Sequence, residues 1–271
     1  MDTLNSKPIL ETFELSRHFG GLKAVDEVSL QVHAEEFLSI IGPNGAGKTT
    51  LLNLLSGTLK PTKGKVFYRG KEITGLAPYR MAHLGIGRSY QITNLFPSLT
   101  VLENVRIAAQ ALGADNFKIF SHYTNFSQYY ERAHFVTSQV GLGDVAEVQV
   151  ASLPHGDKRR LELAMLLTQD PEVLLLDEPT AGLASEQVSD FMDLVKQVGE
   201  EANKTVILVE HNMNVVMRLS DRITVMHQGQ MLASGTPAEI ASNDVVQTAY
   251  LGDLYGDLDD FASTEGKLDR I

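Results

Sequence analysis

The chain has 271 residues, 43% of them hydrophobic, which is enough to bury a sizeable core in one large domain or two closely joined lobes. Its 34 acidic and 23 basic residues give a formal net charge of −11, which argues against nucleic acid as a partner because phosphates need basic stripes. The lack of cysteine excludes disulfides, zinc–thiolate sites and cysteine nucleophiles.

The sequence offers no segment that would place it in a membrane by itself. Residues 1–5 carry neither a basic segment nor an apolar run, so we expect no signal peptide. The longest apolar runs, such as residues 173–176, are far shorter than the roughly 20 residues of a membrane span. If the protein works at a membrane, we expect another chain to hold it there.

The first half of the chain changes character once. Residues 1–85 alternate short β-like runs with turns, and Phe37–Ile41 predicts a buried strand that leads into a glycine-rich segment. A helix is expected to begin at Lys48 and to end near Gly57. From about residue 85 to 167 helix formers dominate, which predicts a mostly helical subdomain inserted into an α/β fold.

The second half returns to alternating strands and helices. Strands are predicted at residues 173–176 and 205–209, a helix capped by Ser185 lies between them, and a hairpin covers residues 222–235. This alternation implies a mostly parallel sheet that is covered on both faces. From residue 253 the sequence is acidic and interrupted by glycine, so we expect a loose tail there.

Residues 42–49 read G-P-N-G-A-G-K-T and fit the P-loop pattern, in which backbone N–H groups and a helix N-terminus point at phosphate oxygens. Lys48 is expected to reach the β- and γ-phosphates of a nucleotide, and the Thr49 hydroxyl to complete a Mg²⁺ shell. The alternative is a chance glycine-rich turn, which the strand before it and the helix after it disfavour. The predicted nucleotide-binding residues of this loop are Asn44, Gly45, Ala46, Gly47, Lys48, Thr49 and Thr50.

Polar side chains follow the two predicted strands of the second half. Asp177 is expected to hold Mg²⁺ or its water, and Glu178 to orient and deprotonate the attacking water. The alternative is that these two acids only solvate the end of a strand. It is disfavoured because a P-loop requires such an acid on a neighbouring strand. His211 is expected near the γ-phosphate, because parallel strands end at one edge, although a lone histidine is more often structural.

Together these residues resemble the nucleotide-binding subunits of ABC transporters. Leu153–Asp157 reads L-P-H-G-D where the family has its signature L-S-G-G-Q, and residues 158–164 are similar to the family's continuation. The resemblance implies that ATP and Mg²⁺ are bound and that two such subunits clamp two ATP molecules head to tail. Four signature residues would then face the γ-phosphate held by the partner subunit: Pro154, His155, Gly156 and Asp157.

The resemblance also implies the fold class and the domain limits. The expected fold is an α/β P-loop NTPase with a mostly parallel sheet, an antiparallel β subdomain and an inserted helical subdomain. We expect the nucleotide-binding domain to cover residues 1–252, with the helical subdomain at about 92–165, and an acidic C-terminal tail to cover residues 253–271.

Further positions resemble the family's nucleotide contacts. Gln91 is similar to the Q-loop glutamine, which contacts Mg²⁺ or water and links to the helical subdomain. Phe19, upstream of Val25, lies where the family has an aromatic side chain that stacks on adenine. We place Phe19 and Val25 in the nucleotide-binding set, and a core position is the alternative for Phe19. His211 is similar to the family's switch histidine, and Glu178 to its catalytic glutamate.

The signature also departs from the family. Pro154 replaces the signature serine and supplies neither a hydroxyl nor an N–H donor. His155 replaces a glycine, Asp157 replaces the glutamine, and Ala184 stands where many members have an aspartate. We therefore expect the composite site built from this signature to be weaker or to depend on a different partner chain. The site built from this P-loop, with Glu178 and His211, is expected to be intact.

Several segments resemble the ATPases of branched-chain amino acid importers, namely residues 19–25, 209–213, 220–223, 235–240 and 249–252. That group usually pairs two different ATPase chains with two transmembrane permease subunits and an external solute-binding protein. For this chain we expect a second ATPase subunit that is a copy or a homologue. We therefore expect an ATP-hydrolysing subunit that lies peripherally on the cytoplasmic face of the plasma membrane. The ATPases of urea importers and lipopolysaccharide exporters have similar endings and stay open as alternatives.

Other classes of protein share some of these sequence features. A soluble P-loop ATPase of DNA repair or translation is disfavoured by the single cassette, the lack of cysteine and the lack of long heptads. A regulatory nucleotide-binding module with weak hydrolysis stays open because the signature is degenerate. A membrane-anchoring scaffold is disfavoured by the acidic charge and the missing amphipathic helix.

Overall fold

The structure of the protein is a computed structural model, which describes residues 7–89, 95–111, 113 and 127–248. Within these ranges the chain forms two sheets and a set of helices packed between and around them. The strands are β1 (Leu10–Phe19), β2 (Leu22–Val28), β3 (Gln31–Val32), β4 (Phe37–Ile41), β5 (Lys63–Tyr68), β6 (Lys71–Glu72), β7 (Ile86–Arg88), β8 (Val173–Asp177), β9 (Thr205–Val209), β10 (Arg222–His227) and β11 (Gln230–Gly235). The helices are α1 (Lys48–Leu55), α2 (Pro78–His83), α3 (Val101–Ala111), α4 (Ser127–Gln139), α5 (His155–Leu167), α6 (Ser185–Glu201), α7 (Met213–Leu219), α8 (Pro237–Ala241) and α9 (Asp244–Val246).

The larger sheet has the strand order β11-β10-β4-β9-β8-β7. All neighbours are parallel except β10 and β11, which form the predicted hairpin. Every residue of β4, β8 and β9 is buried, as expected for strands covered on both faces. Asp177 pairs with Val209, so β8 and β9 end side by side and the loops that follow them meet at one edge.

The smaller sheet is antiparallel, with the order β2-β1-β5-β6 and β3 paired to β1. It packs on the larger sheet through one apolar cluster, in which Leu10, Leu51, Leu175 and Ile207 are all buried. Helix α1 lies in this cluster and presents its leucines to both sheets. The predicted mostly parallel sheet and the predicted antiparallel β part are therefore confirmed.

Helices α3, α4 and α5 share a second apolar cluster with α6 and with the other face of the larger sheet. The described residues between β7 and β8 thus fold as helices, as their composition predicts. Among the described helices, none combines the length and the apolar character that crossing a membrane requires. The domain limits at residues 92, 165 and 252 stay predictions, and the acidic tail lies outside the described residues.

Two local expectations differ from the structure. Helix α6 begins at Ser185, but its cap residue is Ala184 and no side chain caps it, so the prediction of Ser185 as the cap was wrong. Strand β7 was not predicted, because three residues carry no periodicity and acquire their strand character only from pairing with β8. The hairpin turn was predicted correctly, with Gln228 and Gly229 both at positive φ, as a type I′ turn requires.

The central position of β8 generates a stability prediction. Leu175 is 0% exposed between the two sheets, so Leu175→Ala should lower the free energy of unfolding by about 2–5 kcal/mol through lost burial and a residual cavity. Leu22 is 66% exposed, and Leu22→Ala is the matched control, with a change within about 0.5 kcal/mol. Urea denaturation measures both, and equal shifts for the two variants would contradict the described core.

Candidate nucleotide-binding site

The loop of residues 42–47 joins β4 to α1 and is packed tightly against its neighbours. A Cβ at Gly42 would lie 2.2 Å from the Met226 carbonyl oxygen, and one at Gly47, where φ is +100°, would lie 2.2 Å from that of Ala24. Only glycine fits at these two close approaches. The backbone of the loop is therefore held between the ends of β10 and β2, as the P-loop pattern predicts for a preformed anion cradle.

Lys48 opens helix α1 and is only 6% exposed. Its Nζ donates hydrogen bonds to the carbonyl oxygens of Gly42 at 2.7 Å and Pro43 at 3.0 Å. Burial lowers the pKa of Lys48, and the carboxylates of Glu178 and Asp177 oppose that change. Because an ammonium group has three donors, two bonds to the loop fix its position and a third remains to meet an anion.

Asp177 ends β8 and is 3% exposed. Its Oδ1 accepts a hydrogen bond from the Thr49 hydroxyl at 3.3 Å, which brings the P-loop helix and the acid together. Burial raises the pKa of Asp177, and the Arg88 guanidinium and the Thr49 hydroxyl act against this rise. A hydroxyl and a carboxylate at this distance are the hard oxygen donors that Mg²⁺ prefers, so the residues fit this ion.

Arg88 was not predicted as part of the site. Its Nη2 lies 3.1 Å from Asp177 Oδ2, in an ion pair whose side chains are 7% and 1% exposed. Its Nη1 donates to Asn53 Oδ1 and Ser56 Oγ, both at 2.7 Å, near the end of α1. Arg88 therefore ties β7, β8 and α1 together behind the acid. The sequence carries no local signal for this role, because Asp177 lies 89 positions further along the chain.

Glu178 follows Asp177 with φ +47°, a left-handed backbone that is uncommon for a residue with a side chain. Its N–H donates to the Val209 carbonyl oxygen at 2.9 Å, which holds the turn against β9. Its Oε1 lies 2.8 Å from His211 Nε2, and the two side chains are 29% and 40% exposed. The structure thus brings Glu178 and His211 together at the sheet edge, open to solvent.

The signature segment lies beside the loop of residues 179–184. Helix α5 begins at His155 with Pro154 as its cap residue, and no side chain caps it. A Cβ at Gly182 would lie 2.8 Å from His155 Nε2, and Arg159 Nη2 donates to the Ala181 carbonyl oxygen at 2.8 Å. The N–H groups of the first turn, which includes Gly156 and Asp157, have no acceptor inside a helix and point outward.

The two residues expected beside adenine differ from each other. Phe19 is 44% exposed, and its ring carries the Arg17 guanidinium 4.6 Å from the centroid. Val25 is 0% exposed in the core under the P-loop, so the structure corrects its assignment: its side chain packs and does not reach a ligand surface. Gln91 lies outside the described residues.

The other P-loop residues differ in exposure. Asn44 and Gly45 are exposed at the tip, whereas Thr49 and Thr50 are half-buried on α1. Ala46 is buried, and its carbonyl oxygen accepts a hydrogen bond from the Gly229 N–H at 3.0 Å. The cradle, the ammonium group, the hydroxyl–carboxylate pair and the exposed acid–histidine pair together define a P-loop nucleoside-triphosphate-binding protein.

Comparison with known proteins narrows this class. The "ABC transporter" family model matches residues 25–181, and the "Branched-chain amino acid ATP-binding cassette transporter" model matches residues 230–254. The chain is 40% identical over 253 residues to the high-affinity branched-chain amino acid transport ATP-binding protein LivG of Escherichia coli K12, covering 92% of this chain and 99% of LivG. It is 41% identical over 254 residues to BraF of Pseudomonas aeruginosa, with the same coverage of 92% and 99%.

Solved structures agree with the fold. The ATP-binding cassette MJ1267 of an ABC transporter has a TM-score of 0.80 at 29% identity, over 90% of this chain and 99% of that one. The dimeric post-hydrolysis cassette MJ0796, bound to ADP and Pi, has a TM-score of 0.70 at 28% identity, over 84% and 98% of the two chains. The chain therefore belongs to the ABC transporter family, as a nucleotide-binding, ATP-hydrolysing subunit whose activity is coupled to transport.

The buried ion pair at the site generates the second prediction. Arg88→Met leaves the Asp177 carboxylate buried without its cation, which should lower the free energy of unfolding by about 3–5 kcal/mol. The matched control is Arg218→Met, whose pair with Asp193 is 47% and 51% exposed and should contribute no more than about 1 kcal/mol. Chemical denaturation measures both, and a loss at Arg88 no larger than at Arg218 would show that the buried charge needs no partner.

Proposed function

We propose that the site holds ATP with Mg²⁺ and that each described site residue has a separate role. Lys48 and the N-terminus of α1 bind the β- and γ-phosphates, supported by the fixed ammonium position over the loop carbonyls. Thr49 and Asp177 are the residues that would hold Mg²⁺, supported by their 3.3 Å contact. The ion supplies charge neutralisation at the phosphate oxygens when bound. Phe19 offers an exposed ring for adenine.

Hydrolysis is proposed to depend on the pair of Glu178 and His211, which is the observation that carries the proposal. Their 2.8 Å contact places the proton on His211 Nε2, because a carboxylate only accepts hydrogen bonds. Glu178 orients a water molecule and takes its proton as the water oxygen attacks the γ-phosphorus, and the bond to the β-phosphate oxygen breaks. His211 then offers its N–H to the charge that develops on the γ-phosphate oxygens.

The second ATPase subunit is proposed to complete the site. Its signature helix would face the γ-phosphate held here, and α5 of this chain, from Pro154 to Asp157, would face the phosphate held by the partner. The dimeric cassette with ADP and Pi supports this arrangement. Gln91, outside the described residues, is proposed to contact Mg²⁺ or water and to link hydrolysis to the helical part. Residues 1–252 would form the nucleotide-binding domain and residues 253–271 the tail.

The transported substrate is proposed to be a branched-chain amino acid. Two observations support this: the match of residues 230–254 to the family model, and the identity to LivG and BraF over nearly their whole length. The chain would lie peripherally at the cytoplasmic face of the plasma membrane, bound to transmembrane permease subunits. An external solute-binding protein would deliver the amino acid to those subunits, so no residue of this chain would touch it.

The roles of Glu178 and Lys48 separate in one experiment. Glu178→Gln keeps the size of the side chain but removes the base, so kcat for ATP should fall by at least about 100-fold while ATP still binds and favours a closed dimer. Lys48→Ala removes the cation at the phosphates and should weaken ATP binding itself by about tenfold or more. Phosphate release, calorimetry and size-exclusion chromatography measure the three properties.

Opposite results would reassign these residues. Normal turnover by Glu178→Gln would remove the glutamate from catalysis, and unchanged affinity of Lys48→Ala would remove the lysine from the phosphate site. Val245→Ala, at a side chain of α9 that is 59% exposed, is the control that should change neither property.

The substrate proposal is tested by uptake. In cells that contain the chain and its membrane subunits, deletion of the chain should abolish high-affinity uptake of labelled leucine, since transport then lacks its ATPase. The wild-type chain should restore uptake, and Glu178→Gln, produced at the same level, should not. Unlabelled isoleucine and valine should compete with leucine, whereas urea should not. Undiminished leucine uptake after deletion, or loss of urea uptake instead, would contradict the assignment.

A further inference from the structure

Glu210 lies beneath the catalytic edge and is 3% exposed, between the loop of residues 179–184 and the turn that carries His211. One carboxylate oxygen, Oε1, accepts a hydrogen bond from the hydroxyl of Thr180, which is itself 9% exposed. The other, Oε2, accepts from the His211 N–H at 2.6 Å and, at a longer 3.4 Å, from the Asn212 N–H. The carboxylate thus spans the two segments with a different oxygen toward each.

The two segments also meet at the surface. His211 Nε2 lies 2.8 Å from Glu178 Oε1, and both side chains there are partly exposed. The surface contact alone cannot fix the imidazole, because exposed side chains exchange partners with water and with a bound phosphate. The buried contact is different, because a carboxylate removed from water is retained only where donors saturate its oxygens. Glu210 therefore holds the backbone of His211 in place, and with it the start of the side chain that carries the imidazole.

We propose that Glu210 is a positioning residue, which sets the backbone of His211 against Thr180 so that the imidazole meets Glu178 and the γ-phosphate. This inference rests on the proposed roles of Glu178 and His211. It explains why an acid follows the five buried residues of β9, where an apolar residue would pack at no desolvation cost. Thr180 is the anchor on the opposite segment, against which the carboxylate fixes the position of His211.

The chemistry of the contact predicts how substitutions rank. Glu210→Ala removes both acceptors and releases the two segments from each other. Glu210→Gln keeps one acceptor for the His211 N–H, and its amide group can donate to the Thr180 hydroxyl, which also accepts. Thr180→Val removes only the hydroxyl. We therefore expect kcat to decrease in the order wild type, Glu210→Gln, Thr180→Val, Glu210→Ala.

The test is a double-variant cycle in the full chain with its partner ATPase. Glu210→Ala should lower kcat by about 10- to 100-fold with the KM for ATP changed by no more than about twofold, because it misplaces His211 without touching the nucleotide. In a His211→Ala background the same substitution should cause no further loss, since there is no imidazole left to position. Glu210→Gln should stay within about threefold of wild type, as rescue by the conservative variant.

Thr180→Val covers the case in which Glu210→Ala does not fold, and it should likewise lose its effect in the His211→Ala background. Its matched control is Thr137→Val on α4, a threonine that is 1% exposed and whose hydroxyl has no hydrogen-bond partner among the described residues. That control should leave kcat unchanged.

Two failures are distinguishable. If His211→Ala is slow but the losses from Glu210→Ala or Thr180→Val multiply with it, the positioning role is overturned and the proposed function stands. If His211→Ala turns over normally, the proposed role of the histidine fails, and the inference fails with it.

Discussion

The buried carboxylate of Asp177 is the constraint on which the rest of the site depends. It ends a fully buried strand, and a charge in that position is tolerated only if it is paired and hydrogen-bonded. Its partners come from two sides: the Thr49 hydroxyl from the start of α1 and the Arg88 guanidinium from β7. Arg88 also donates a hydrogen bond to Asn53 near the far end of α1. Both ends of that helix are therefore linked to the Asp177 carboxylate. The interactions that compensate the burial of the Asp177 carboxylate therefore also hold the cradle loop in line with it.

The edge of the sheet is built in two levels with different physical properties. The lower level is buried and consists of Asp177 and Glu210, whose carboxylates each accept hydrogen bonds from neighbouring segments. The upper level is partly exposed and consists of Glu178 and His211, whose contact competes with solvent. The left-handed backbone of Glu178 connects the buried Asp177 to the exposed side chain of Glu178. The hydrogen bond from the Glu178 N–H to the Val209 carbonyl oxygen holds that unfavourable conformation in place. Reactive groups are thus accessible while their supports are rigid.

The sequence predicts the parts whose signal is local. Residues 37–41 and 205–209 are short, mostly apolar runs that predict buried strands, and Gly42 and Gly47 of the P-loop are required by close backbone contacts. The parts that escaped prediction depend on distant pairing. Arg88 meets Asp177 across 89 positions of the chain, and β7 exists only because β8 lies beside it. Val25 was expected at the adenine by its position, but its side chain is buried in the core under the P-loop.

The two-level edge gives a physical reading of the residues at which segment 153–157 departs from the family signature. Pro154 removes a hydroxyl and an N–H, yet helix α5 still begins at His155, so the N–H groups of its first turn remain directed outward. Asp157 places an acidic group in that first turn, close to where a partner's phosphate would lie, and like charges repel. The cradle side of this chain carries no such defect. A dimer of two copies would therefore have two equally weakened sites, whereas a partner with a serine-containing signature gives one strong and one weak site.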